Sequence, residues 1–468
     1  MQFPGTHSKS LIETPEGLCG RTVQTIRFAR VPALPGKPVR NRTMNEPNNK
    51  IPGLATRQSA IRLLDAVCRR GETLDQAMPA ATGKLSHPSD KALAHNIAAN
   101  VLRWMTALDA MIDSATRNRL ADDAKPRMAL RIALAQVLIL DTPQHAAIST
   151  ALPLVHGGPR RLVHGVFSTV MRGVESGALK LPEYPEIPGE TLDRWTNNWG
   201  EDVAIAANEA WAKPAPLDLS FQSDDVGSLD GVKLAPKHLR MLPALPVTGL
   251  AGFDEGQFWV QDLAASIPAR LFGEGEGRTI YDLCAAPGGK TMQLASAGWK
   301  VVSVDNNAKR MERFQDNLKR TNLQAEEVIA DLMQWEPVEP ADAVLLDAPC
   351  SATGIYRRHP DVLHCIGSRQ IADRVEVQRA LLDRTAPWVK PGGILVYAVC
   401  SLEPEEGEEQ IEAFLERHDQ FAIDPVTADE LPEHILPTDT GCVRTLPTTL
   451  AEQGHVDGFF IARLVRKI

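Results

Sequence analysis

The sequence lacks paired cysteines. Its seven, at positions 19, 68, 284, 350, 365, 400 and 442, are odd in number, scattered over 468 residues and never spaced C-x-x-C. A disulfide framework and a zinc site are therefore not expected, and a reducing, cytoplasmic setting with one or two chemically useful thiols fits better. Long apolar runs are missing as well. Nothing approaches the length of a membrane span and the first residues carry no apolar secretory stretch, so no membrane partner is expected. The spacings G-x-G-x-x-G and G-x-x-x-x-G-K-[ST] are also absent, which argues against a pyrophosphate cradle, a Walker loop and a nicotinamide-dependent dehydrogenase.

Charge is present but divided. Residues 1–180 carry 24 Lys/Arg against 13 Asp/Glu, residues 181–468 carry 26 against 46, and the chain nets −9. A polyanion would be gripped mainly by the front of the chain; a contribution to solubility alone is the competing explanation.

Residues 1–53 include P-A-L-P-G-K-P at 32–38 and read as an extended or disordered segment. Met44 is read as an alternative start, with a basic RNA-binding tail as the rival. Residues 54–180 have helical periodicity throughout, as in Leu93, Ile97, Val101 and Met105, and predict an all-α domain of five to seven helices. Their arginines, including Arg62, Arg69, Arg70, Arg103, Arg160, Arg161 and Arg172, hint at RNA, although helix-surface arginines are more often simply solvated. Residues 181–250 open with L-P-E-Y-P-E-I-P-G-E, hold Tyr184, Trp195, Trp199 and Trp211, and read as a linker and small α/β RNA-binding subdomain.

Residues 251–468 alternate strands and helices. Strands are expected at Thr279–Leu283, Lys300–Asp305, Glu327–Ala330, Ala343–Asp347, Ile394–Val399 and Phe459–Leu464, with helices near 289–297, 307–321, 369–388 and 405–417. That rhythm predicts a doubly wound, Rossmann-like, mostly parallel sheet, with ligands beyond the carboxyl ends of its strands.

The stretch I-Y-D-L-C-A-A-P-G-G-K-T, Ile280 to Thr291, would run from a strand through a small-residue turn into a helix and bare its backbone to a cofactor. Asp305, Asp331 and Asp347 each follow a strand; Asp305 stands where an acid meets ribose hydroxyls, although helix capping would explain any one of them. Cys350 and Cys400 leave two buried strands at the same edge, whereas Cys19, Cys68, Cys365 and Cys442 read as small buried hydrophobes and Cys284 as packing under the cofactor. If the target is carbon 5 of a pyrimidine, the chemistry needs such a thiol: its addition to carbon 6 makes carbon 5 nucleophilic towards a methyl sulfonium. A thiolate needs a nearby cation, for which Lys290 and Arg357–Arg358 are the candidates.

Three segments, D-L-C-A-A-P-G-G-K-T, L-D-A-P-C-S-A-T-G-I-Y-R-R-H-P-D and A-V-C-S-L-E-P-E-E-G-E-E, closely resemble the Sun/Fmu family of RNA cytosine-C5 methyltransferases. The front segments A-T-R-Q-S-A-I-R-L-L-D-A-V and H-N-I-A-A-N-V-L-R-W resemble the NusB-like domain of its RsmB-type members. The resemblance implies a NusB-like domain followed by an S-adenosylmethionine-dependent methyltransferase domain. It implies methylation of an unstacked cytosine in 16S ribosomal RNA by a monomer; transfer RNA and a non-catalytic, RNA-binding assembly role are the alternatives. It further implies that Cys284, Ala285, Ala286, Pro287, Gly288, Gly289 and Lys290 line S-adenosylmethionine, with Asp305 at its ribose, Asp331 by its adenine and Asp347 facing both cofactor and base. Spacing does not say which thiol attacks; the family makes Cys400 the nucleophile and Cys350 the thiol that helps release product. Arg357, Arg358 and His359 would lie near the RNA backbone. The sequence departs from the family at Val399, where threonine is usual, and at V-L-H-C-I-G after Asp361, where a Lys-Trp-containing segment is usual.

Overall fold

The computed structural model describes residues 51–242 and 246–468; the segment before Ile51, with Cys19 and Met44, lies outside the described residues. Seven helices form the front: α1 (Leu54–Arg70), α2 (Leu74–Thr82), α3 (Pro88–Arg103), α4 (Met105–Ser114), α5 (Lys125–Leu138), α6 (Gln144–Ala151) and α7 (Gly158–Glu175). Along α1 the buried positions Ala60, Leu63, Leu64 and Val67 recur at helical spacing, which gives one apolar face to the core. Gly71 ends α1 in the left-handed region, φ 65°, and Thr73 opens α2 with a capping box. The Thr73 hydroxyl accepts from Gln76 N–H at 3.3 Å, and Gln76 Oε1 accepts from Thr73 N–H at 3.0 Å. Helix α5 is buried on nearly every side, including Arg127 and Arg131, which are neutralised by Asp109 and Asp113 of α4; Arg131 reaches Asp109 at 2.6 Å.

Two short helices follow, α8 (Gly189–Trp199) and α9 (Glu201–Ala212). A four-stranded antiparallel sheet comes next, built from β1 (Leu217–Phe221), β2 (Val232–Ala235), β3 (His238–Met241) and β4 (Phe258–Val260) in the order β2-β3-β1-β4. Strand β4 pairs with β1, Leu219 opposite Val260, so this sheet runs past residue 250, where the sequence had suggested the catalytic domain begins. The pairing joins residues some forty apart in the chain, a contact that local pattern does not register.

The large sheet contains β5 (Thr279–Leu283), β6 (Lys300–Asp305), β7 (Glu326–Ile329), β8 (Ala341–Asp347), β9 (Val389–Val399), β10 (Phe421–Ile423), β11 (Val443–Thr445) and β12 (Phe459–Arg466). Its helices are α10 (Leu263–Arg270), α11 (Gly289–Ser296), α12 (Ala308–Thr321), α13 (Val362–Cys365), α14 (Ser368–Thr385) and α15 (Glu408–Arg417). The order is β10-β12-β9-β8-β5-β6-β7, with β11 added on β12; β5 to β9 run parallel, β12 pairs antiparallel with β9, and β10 and β11 pair antiparallel with β12. The chain moves outward from β5 through β6 to β7, then crosses back to β8. The switch point therefore lies between the carboxyl ends of β5 and β8, the crevice where such sheets bind ligands.

The described residues form one compact unit. Helix α13 packs between the helical front and the sheet domain. Val362 and Leu363 are buried, His364 Nε2 lies 2.9 Å from Leu102 O, Cys365 packs against the core of the helical domain, and Asp361 accepts from Leu74 N–H at 2.9 Å. The V-L-H-C-I-G departure is thus a domain contact. Among the described residues no helix is long and apolar enough to cross a membrane.

Candidate active site

At the carboxyl edge of β5 the chain turns at Cys284, φ 63°, and again at Gly288, φ 100°, before α11 begins. A side chain at Gly288 would sit 2.8 Å from the Phe314 ring, so the tight turn demands glycine on both conformational and steric grounds. Asp305, at the end of β6, ties the turn in place: its carboxylate accepts from Ala286 N–H at 3.1 Å and Asn307 N–H at 2.9 Å. Ala285 and Ala286 face inward against Met292 and Phe314, and Pro287 is exposed. Of the seven turn residues expected at the cofactor, Cys284 is the one that forms the wall of the adjoining cleft. The others shape the turn, and Lys290 meets the cleft through Asp347.

That cleft has a volume of about 690 Å³, within the range of small-molecule sites, and its walls bring together Cys284, Asp305, Asp331, Asp347, Cys350 and Cys400. Asp331 is exposed and its carboxylate accepts from Met333 N–H at 3.0 Å. Lys290 donates to Asp347 at 2.7 Å. Burial alone would lower the Lys290 ammonium, but the Asp347 charge and hydrogen bond, with the charge at Cys400, hold it above the ordinary lysine value. The two sulfurs of Cys350 and Cys400 lie 3.4 Å apart. The hydrogen bond to Cys400, together with burial, raises the Cys350 thiol well above the ordinary cysteine value, so it carries its proton at neutral pH. Val399, beside Cys400, is fully buried in the core with Leu395 and Tyr397, which accounts for an apolar residue there.

Beneath the turn, Asp282 is fully buried and accepts from the Thr291 hydroxyl at 2.5 Å. Burial pushes its carboxyl up to about 7, against the opposing Thr291 hydrogen bond. In the unfolded chain an aspartate releases its proton near pH 4. A raised folded value means that the contribution to stability is complete below that pH and is lost as pH rises through 7. Between pH 5 and 8 the native protein should therefore lose about 2–3 kcal/mol relative to Asp282→Asn. Urea unfolding of both proteins across that range checks this; parallel curves would count against it.

The two arginines expected near the RNA are paired within the protein. Arg357 is 2% exposed and bonded to Asp262 at 3.3 Å and Asp457 at 3.2 Å; Arg358 pairs with the same two acids. Arg357 is thus held in a buried ion cluster, Arg358 joins it with its side chain partly exposed, and the cation beside the thiols is Lys290. His359 is half-buried. In the helical domain, Arg103 is likewise engaged: it donates to Arg357 O at 2.6 Å, and its own carbonyl accepts from Trp211 Nε1 at 3.1 Å. Arg160 and Arg161 are exposed. Cys442 is buried as expected, whereas Cys68 is exposed on α1.

Sequence reasoning missed three contributors. Gly71, Thr73 and Gln76, from the α1–α2 turn of the helical domain, form part of the cleft wall. Arg374 of α14 stands exposed on the same wall, with no ion-pair partner among the described residues. The indoles of the linker clasp the loop after Cys400: Trp199 Nε1 donates to Leu402 O at 2.8 Å, and Arg194 and Trp195 bind Glu403 at 2.7 and 3.1 Å. Trp195 and Trp211 also pack on Tyr356, in the loop after Cys350.

Comparison with known proteins fits this geometry. The Ribosomal RNA small subunit methyltransferase B of Xylella fastidiosa (strain Temecula1) is 34% identical over 439 residues, covering 89% of this chain and 99% of the relative. The chain belongs to that family. The protein of the same name from Cronobacter sakazakii is 30% identical over 439 residues, 88% of this chain and 98% of the relative. A family described as 16S rRNA methyltransferase RsmB/F matches residues 271–465, and the NusB family matches residues 54–172. Among solved structures, that of PH0851 superposes with a TM-score of 0.68 at 23% identity, covering 89% of this chain and 99% of that one, a likeness of fold. The protein is thus an RsmB/F-family methyltransferase, with a NusB-like helical domain ahead of a Rossmann-like fold that uses S-adenosylmethionine.

Proposed function

We propose that this family member methylates carbon 5 of a cytosine in 16S ribosomal RNA through a covalent bond between Cys400 and carbon 6. The observation that carries the reading is the pair of thiols 3.4 Å apart, beside the Lys290–Asp347 pair, on one wall of the cleft. Metal-free covalent catalysis of this kind needs a nucleophile, a group that stabilises the adduct and a base for the departing proton.

Cys400 supplies the nucleophile, with Lys290 as the neighbouring cation. Asp347 would hydrogen-bond the N3 edge of the ring. Cys350, once it has given up its own proton, would accept the one leaving carbon 5, after which the Cys400–carbon 6 bond breaks. S-adenosylmethionine, when bound, supplies a methyl group on a sulfonium. Its holders would be Cys284 and the turn through Lys290, with Asp305 at the ribose, Asp331 by the adenine and Asp347 near the methyl. The cleft volume and the acids at successive strand ends support that assignment. The cytosine must leave its stack to enter, so the substrate is a single-stranded or loop segment. The protein acts as a cytoplasmic monomer in this reading.

Mapping 5-methylcytosine in ribosomal and transfer RNA, from cells with and without this protein, tests the proposal. One cytosine of 16S ribosomal RNA should lose its methyl group in the deficient cells. Loss confined to transfer RNA would redirect the substrate, and unchanged methylation in both pools would sink the reading.

A further inference from the structure

We propose that Glu406 is a positioning residue for both cysteines, a single buried carboxylate that holds the serine next to each thiol and thereby sets the distance between the two sulfurs. The inference rests on the reading above, in which both thiols serve one base. Glu406 is 0% exposed. One of its oxygens accepts from Ser351 N–H at 2.8 Å and from Gln378 Nε2 at 2.9 Å; the other accepts from the hydroxyls of Ser351 and Ser401, each at 2.5 Å. Ser351 follows Cys350 and Ser401 follows Cys400. Gln378, also fully buried, donates in addition to Pro349 O at 3.2 Å, on the other side of Cys350.

None of these four hydrogen-bond partners is a cation. Burying a carboxylate without one is costly, and an apolar side chain would pack there without that cost. What an apolar side chain cannot do is accept four hydrogen bonds, three converging from two loops fifty residues apart and one from Gln378 of α14. An amide would not serve equally, because its NH₂ would face donors where the carboxylate offers lone pairs. A second layer of contacts has the same sense: Thr353 accepts from Leu402 N–H at 3.0 Å, and Gly354 N–H donates to Cys400 O at 3.0 Å. The Glu406 backbone is itself pinned, since its carbonyl accepts from the Tyr397 hydroxyl at 2.7 Å. The carboxylate thus acts through Ser351 and Ser401 without touching substrate.

The spacing can be read without RNA. Phenylarsine oxide bridges two thiols only when the sulfurs are close; two S–As bonds form, and the arsenical oxygen leaves as water with the two thiol protons. The full chain should bind it and so shield Cys350 and Cys400 together from alkylation, with Cys350→Ser and Cys400→Ser as controls. Glu406→Ala and Glu406→Gln should weaken bridging about tenfold or more and lower kcat for methyl transfer about a hundredfold. KM for RNA and S-adenosylmethionine affinity should stay unchanged. The double variant Ser351→Ala/Ser401→Ala should reproduce this, and carries the test if a Glu406 variant does not fold. Unchanged bridging in all soluble variants would overturn the proposal. So would a parallel loss of bridging, cofactor affinity and thermal stability, the mark of a merely structural role. Bridging that depends on Glu406 in a protein that methylates no cytosine would keep the tether and sink only the functional reading.

Discussion

Replacing Cys400 by Ala is expected to lower methyl transfer to RNA by a factor on the order of 10⁴ or more, with S-adenosylmethionine affinity unchanged. Carbon 5 of cytosine is too weak a nucleophile to take a methyl group unless carbon 6 has first been attacked, and the substitution removes the atom that attacks. It removes little else. The Cys400 carbonyl still accepts from Gly354 N–H, and Ser401 still reaches Glu406. The proposed cofactor walls at Cys284, Asp305 and Asp331 come from other strands and loops. Transfer of labelled methyl groups to RNA, paired with calorimetric titration of the cofactor, measures the two halves separately. Undiminished turnover would reverse the assignment of the attacking thiol.

Replacing Cys350 by Ala should have a different signature. Attack and methylation proceed, but the carbon-5 proton loses its acceptor, so the bond between Cys400 and the base persists. RNA covalently attached to protein should accumulate to nearly one per active site, visible as a slow band on a denaturing gel. The double variant Cys350→Ala/Cys400→Ala should show no such band. A Cys350→Ala protein that turns over normally and traps nothing would remove this thiol from the release step. The 3.4 Å between the sulfurs makes the division of labour geometrically reasonable, since two groups so close can face the same ring carbons.

Much of the sheet was legible because its inner strands are short apolar runs bounded by turn residues. Thr279–Leu283 and Lys300–Asp305 match their expected limits, while β9 begins at Val389, five residues before the expected start, across the Pro-Gly-Gly stretch. The thiols and acids were legible for a related reason: each follows such a strand, and parallel strands end at one edge. What stayed hidden depends on partners distant in the chain. Arg357 and Arg358 look like free cations beside a catalytic loop; their acids, Asp262 and Asp457, lie about a hundred residues away on either side. Glu406 sits within a quoted motif, yet its importance comes from Ser351, fifty-five residues earlier. The linker tryptophans cluster visibly, but nothing local says that they close on the loop after Cys400.

Helix α13 has a consequence for how the molecule comes apart. Cys365 packs into the core of the helical domain and His364 meets Leu102 O there, while Leu363 packs with Trp195, Trp211 and Tyr356; Asp361 bonds the backbone at the start of α2. Neither half can therefore melt alone without stripping the cover from the other's interior. Residues 51–468 should therefore unfold in one transition, and an excised catalytic half should expose apolar surface that the helical domain now covers.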